Sequence, residues 1–92
     1  MSEAVKAVRG YVTGKVQGVW FRYSVQQKAL PLGVCGYAKN LPDGRVEVLL
    51  CGEAKNLAEV QKFVSTGPEQ ARVDNLQWQE VEAEPLTGFD IF

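Results

Sequence analysis

Residues 34–51 read VCGYAKNLPDGRVEVLLC, and their reading decides the fold. Val34 to Asn40 is strand-like, and Arg45 to Cys51 alternates, with Val46, Val48 and Leu50 on one face. Between them lies Leu41-Pro-Asp-Gly44. Pro42 presets φ and Asp43-Gly44 favours a reversal, so the stretch predicts a hairpin in mid-chain.

Working outward, each arm of the hairpin meets a helix and then a strand. On the N-terminal side, FRYSVQQKA (21–29) is helix-compatible, with Phe21, Val25 and Ala29 on one face. Pro31 is expected to stop this helix and to push Leu30 away from helical angles. VKAVRGYVT (5–13) is rich in β-branched and aromatic side chains and predicts a strand, with a turn from Gly14 to Gly18. On the C-terminal side, Gly52 is expected to end the hairpin's second strand. AKNLAEVQKFVST (54–66) follows as an amphipathic helix carrying Leu57, Val60 and Val64 on one face, with Gly67-Pro68 as its stop. A strand within 72–82 is expected to bulge near Asn75, because Val73 and Leu76 break the alternation. GFDIF (88–92) predicts a short last strand. The order is that of an α+β, ferredoxin-like βαββαβ sandwich. Its sheet is expected to be mostly antiparallel, with two helices on one face and a short extra C-terminal strand.

Ninety-two residues suggest one domain, residues 1–92, with a modest core. Apolar residues make up 46% and charged residues 23%, the balance of a soluble globular chain. No apolar run approaches the roughly 20 residues that span a bilayer. MSEAVKAVRG lacks the basic and apolar regions of a secretory signal, so no membrane association and a cytoplasmic location are expected. The net charge of −1 argues against nucleic acid, which needs many Lys and Arg on one face. A ferredoxin-like RNA-binding domain would also show aromatics on its central strands, and Arg45 to Cys51 has none. A small anion at a local positive site remains compatible.

The chain has two cysteines, Cys35 and Cys51, and no histidine. Without imidazole, Ser-His-Asp and Cys-His nucleophiles and histidine-ligated zinc are excluded. Two cysteines alone make a poor metal site, so no metal is expected. The cysteines fall on strands expected to pair, as two thiols or as a cross-strand disulfide.

Gly14-Lys-Val-Gln-Gly18 joins a strand to a helix. Such a turn either serves only to reverse the chain or aims successive amides at an anion, helped by the helix dipole. Val19 after Gly18 departs from the nucleoside-triphosphate loop pattern, which has Lys-Ser/Thr there. Arg22, in the first helical turn, is unfavourable to the dipole unless an anion lies between it and the amides; otherwise it is a solvated surface residue. Asn40, at a strand end, either bonds its own turn or orients a water.

Two stretches carry more. GKVQGVWFR (14–22) and GYAKNLPDG (36–44) closely resemble the paired signatures of the acylphosphatase family. The resemblance extends to Gly67-Pro68, Ala71-Arg72-Val73 and Gly88-Phe89. It implies hydrolysis of a small-molecule acyl phosphate to a carboxylate and inorganic phosphate, by a monomer, with no metal or organic cofactor. It also implies that Arg22 clamps the phosphate, that Asn40 positions the water, and that amides from Lys15, Val16, Gln17, Gly18, Val19, Trp20 and Phe21 hold the phosphate. The alternative is a non-catalytic anion-binding or regulatory module on the same fold. Chain length disfavours the similar domain of carbamoyltransferase maturation factors. Phosphoryl transfer rests mostly on positioning and charge stabilisation, which such a site supplies without imidazole. Trp20 fills a position that varies in the family, and is expected to narrow the mouth of the site or to offer the acyl group an apolar wall. Pro31 falls where related chains usually continue the helix.

Overall fold

A computed structural model describes residues 5–83 and 87–92. The first four residues, on which the reading of the N-terminus partly rests, lie outside it, as do residues 84–86. The elements are β1 (Val5–Lys15), α1 (Phe21–Ala29), a 3₁₀ turn (Leu30–Leu32), β2 (Cys35–Asn40), β3 (Val46–Glu53), α2 (Ala54–Thr66), β4 (Arg72–Val81) and β5 (Phe89–Ile91). They form one sheet in the order β4-β1-β3-β2-β5. Only the β2–β5 pairing is parallel. This is the ferredoxin-like α+β fold, with the extra C-terminal strand at the sheet edge.

The hairpin forms where its sequence places it. Asn40 faces Val46 and Cys35 faces Cys51 in register. The Leu41 N–H donates to the Arg45 carbonyl at 2.8 Å, and the Gly44 N–H donates to the Leu41 carbonyl at 3.1 Å. The Asp43 carboxylate accepts from the Arg45 backbone N–H, which with the Arg45 side chain holds its pKa below the ordinary value. Val46, Val48 and Leu50 are fully shielded and pack with Phe21, Val25 and Ala29 of α1 and Leu57, Val60 and Val64 of α2. Each Val, Leu or Phe among them contributes about 1.5–3 kcal/mol by leaving water, and Ala29 less, so these stripes fix the helices on this face.

α1 spans the expected Phe21–Ala29, but the structure differs from expectation at three places. Pro31 does not stop the first helix, and Leu30 keeps helical angles, φ −57 and ψ −48. Its N–H still bonds the Gln26 carbonyl, and the chain tightens into one 3₁₀ turn that accepts Pro31 in its first positions, where a missing N–H costs little. The stop is Gly33, at φ +69. Its N–H reaches Leu30 O at 3.0 Å and the Val34 N–H reaches Ala29 O at 3.1 Å, the two bonds of a Schellman closure.

The expected turn from Gly14 is shorter, because β1 runs on to Lys15. Gly14 and Lys15 pair with Val73 and Arg72 after a register shift past Thr13. The expected bulge is there, with Asp74 as the extra residue. At Gly14 a Cβ would stand 2.1 Å from the Arg72 carbonyl oxygen, so only glycine fits against this bulge. Gly52 does not end β3 either, since Lys6 and Val5 continue the ladder opposite Gly52 and Glu53.

Candidate active site

The loop from Val16 to Trp20 leaves the end of β1 and enters α1. Its apolar side chains are its anchors: Val16, Val19 and Phe21 are buried. With these turned inward, Gly18 and Trp20 are left exposed. Gly18 has φ +77 and Trp20 φ +63. Trp20 is the N-cap position of α1 and makes no side-chain capping bond, and the first turn holds no acidic residue. The first amides of a helix lack intrahelical acceptors, and here no side chain supplies the cap.

The Gln17 side chain ties the loop to the hairpin. Its Nε2 donates to the Leu41 carbonyl at 2.9 Å and to the Arg45 carbonyl at 3.0 Å. The hairpin tip is therefore held beside the loop, and Asn40 immediately precedes that tip.

Arg22 and Asn40 meet at one atom. Arg22 Nη1 donates to the main-chain oxygen of Phe92, the last residue of the sequence, at 2.7 Å, and the Asn40 backbone N–H donates to the same oxygen at 3.1 Å. The Phe92 N–H in turn bonds Ala38 O at 2.9 Å, so the chain after β5 lies along the outer edge of β2. Gln26 Nε2 donates to Phe89 O at 2.6 Å, a second tie between α1 and β5. Asn40 Oδ1 is shielded from solvent and has no donor among the described residues. A buried acceptor left so costs about 1–3 kcal/mol unless another state satisfies it.

Of the nine residues expected at the site, Val16 to Arg22 form the loop and the first helical turn, Lys15 is the last ladder residue of β1, and Asn40 ends β2. The side chains of Val16, Val19 and Phe21 belong to the core, so only their backbone is available to a ligand. Beside Arg22 lies a cavity of about 410 Å³ lined by Val16, Gly18, Trp20, Phe21, Tyr23 and Ile91. Tyr23, Ile91, the Gln17 tether and the Phe92 main-chain oxygen were not singled out from the sequence. Tyr23 lies one helical position past Arg22, and its exposed aromatic ring was the available signal. The others depend on contacts distant in sequence.

A ferredoxin-like α+β domain with a glycine-bracketed loop between its first strand and first helix defines the class. Within that class the chain belongs to the acylphosphatase family, whose family model matches residues 8–91. A protein named acylphosphatase from Chromohalobacter salexigens is 44% identical over 86 residues, covering 94% of this chain and 96% of that protein. One of the same name from Nitrosococcus oceani is 46% identical over 87 residues, covering 95% and 98%. The solved structure of an acylphosphatase from Coxiella burnetii superposes with a TM-score of 0.90 at 39% identity, covering 96% of this chain and 93% of that one.

Proposed function

We propose that the chain hydrolyses acyl phosphates, releasing a carboxylate and inorganic phosphate. The observation that supports this best is the convergence of Arg22 and Asn40 on the main-chain oxygen of Phe92, beside an anchored loop that leads into an uncapped helix. Amides of residues 15–21 and the Arg22 guanidinium receive the phosphoryl oxygens. The guanidinium binds two oxygens at once and stabilises the charge that grows as the bond to the acyl oxygen breaks.

The water oxygen forms a bond to phosphorus as the phosphorus–carboxylate bond breaks, and the electron pair leaves with the carboxylate. A carboxylate departs without a general acid. The water's proton passes to a phosphoryl oxygen, so the absence of histidine is tolerated. Asn40 Oδ1 accepts a hydrogen bond from the attacking water. Water does not touch that oxygen as the side chain stands, so its use requires a turn of the Asn40 amide.

The same reading takes residues 1–92 as one domain, acting as a cytoplasmic monomer without metal or cofactor. Among the described residues, no helix is long and apolar enough to cross a membrane.

The test is phosphate release from benzoyl phosphate by wild type, Arg22→Ala and Asn40→Ala. Arg22→Ala is expected to lose about 10³-fold in kcat/KM and to weaken inhibition by inorganic phosphate. Asn40→Ala is expected to lose about 10²-fold or more in kcat while phosphate still inhibits. Equal loss of phosphate binding in both variants would contradict the separate roles. No phosphate release by wild type would favour a binding module.

A further inference from the structure

We propose that Trp20 and Tyr23 form a platform for the acyl group, and that the site prefers acyl phosphates whose acyl group is flat and apolar, such as an aryl carboxyl. The inference rests on the hydrolase reading above and adds the class of substrate.

Trp20 stands at φ +63 and ψ +21, the only positive φ among the described non-glycine residues. That left-handed conformation costs an L-residue about 1–2 kcal/mol, and glycine or asparagine adopts it more cheaply. The indole contributes little to folding in exchange, since Trp20 is 76% exposed and makes no capping bond. Phe21, its neighbour, is the residue that enters the core. A strained backbone carrying a large outward aromatic next to an anion-binding loop is where function is expected to hold strain in place.

The surrounding surface agrees. Of the six large apolar side chains exposed among the described residues, Trp20, Tyr23 and Ile91 border the cavity that also holds Arg22. Its volume of about 410 Å³ lies within the range of small-ligand pockets. Trp20 and Tyr23 meet edge to face, with ring centroids 6.2 Å apart and planes at 73°. Two rings at that angle make a corner, so a flat group lying on one ring meets the other edge to face, the favoured aromatic geometry.

The cavity thus has a cationic end at Arg22 and an apolar corner beside it. An acyl phosphate is built the same way. Its phosphoryl group is fixed at the loop, and the acyl carbon is one oxygen away. A benzoyl ring extends from there into the corner, whereas an acetyl methyl offers the rings little surface.

The experiment compares kcat/KM for benzoyl phosphate and acetyl phosphate in wild type, Trp20→Gly, Trp20→Phe and Tyr23→Ala. Glycine suits the backbone at position 20 and alanine suits a helix, so these variants are expected to fold, as thermal melting will show. Wild type is expected to favour benzoyl phosphate. The benzoyl-to-acetyl ratio should fall about tenfold in Trp20→Gly and by a smaller factor in Tyr23→Ala, with Trp20→Phe in between. A ratio within about twofold of wild type in both Trp20→Gly and Tyr23→Ala overturns the inference while the hydrolase reading stands. So does a wild type that hydrolyses acetyl phosphate but not benzoyl phosphate. Release from neither anhydride overturns the hydrolase reading, and this inference falls with it.

Discussion

Gln17 commits one amide nitrogen to two carbonyls of the hairpin, 24 and 28 positions further along the chain. Those carbonyls, of Leu41 and Arg45, each also accept a backbone N–H within the turn. Removing the amide therefore leaves no acceptor wholly orphaned, and the loss is that of two ordinary hydrogen bonds. Gln17→Ala is expected to cost about 1–3 kcal/mol in chemical denaturation and to lower kcat, because the loop and Asn40 lose their common register. Gln17→Glu keeps the shape but offers only acceptors to two carbonyl oxygens, so it should be no better than alanine near neutral pH. A fully active, fully stable Gln17→Glu would contradict the tether. Tyr37 gives a second residue-level prediction on the opposite face. Burial, followed by its hydrogen bond to the Glu47 carboxylate, pushes its phenol up from 10 to about 12. The folded state then holds a proton that the unfolded chain releases first. This stabilisation is fully present below pH 10 and fades as pH rises through about 12. The stability difference between wild type and Tyr37→Phe, measured by denaturation across that window, should shrink with rising pH. A difference that stays constant would contradict the shift.

Among the elements, α1 shows how local chemistry and context divide the work. Its body is legible from spacing alone, because Phe21, Val25 and Ala29 share a face and all three are buried. Its bounds, Phe21–Ala29, are as expected, but helical angles run on into a 3₁₀ turn that accepts Pro31, because the proline falls where a tightening turn has no use for its N–H. Gly33 carries the closure instead, with two backbone bonds behind it. Gly33→Ala should therefore cost about 1 kcal/mol or more and lower Tm by several degrees. Pro31→Ala should change stability by less than about 1 kcal/mol, mainly through a looser unfolded chain. Melting both variants decides the matter: a larger loss at Pro31 than at Gly33 would restore the proline as the stop. The way α1 docks was harder to read. Its links to β5 and the residue after it, from Gln26 to Phe89 and from Arg22 to Phe92, join residues more than sixty positions apart, and no periodicity records them.

Across the molecule, the order of elements was readable because each strand and helix carries its own period and its own stop. The bulge at Asp74 was readable because it breaks a period. The site was legible only in part. Its loop and its asparagine stand out as sequence patterns, but the meeting of Arg22 and Asn40 at the Phe92 main-chain oxygen depends on how β5 docks beside β2. Tyr23 and Ile91 join the cavity for the same reason. The distribution of chemistry over the fold supports the last prediction. Arg22, Asn40 and the loop lie where β1 and β2 end, whereas Cys35 opens β2 and faces Cys51 late in β3, at the other end of the hairpin ladder. With no histidine in the chain, the soft ligands a transition metal favours are remote from the loop. On the proposed reading, Arg22 and backbone amides at the loop supply the positive charge that phosphoryl transfer requires. Dialysis against a chelator should then leave phosphate release from benzoyl phosphate within about twofold of its starting rate, because no stabilising charge has been removed. Added magnesium or zinc should not raise that rate. A large loss on chelation, restored by returning one divalent ion, would mean that a metal shares the phosphoryl charge, and the role given to Arg22 would have to shrink accordingly.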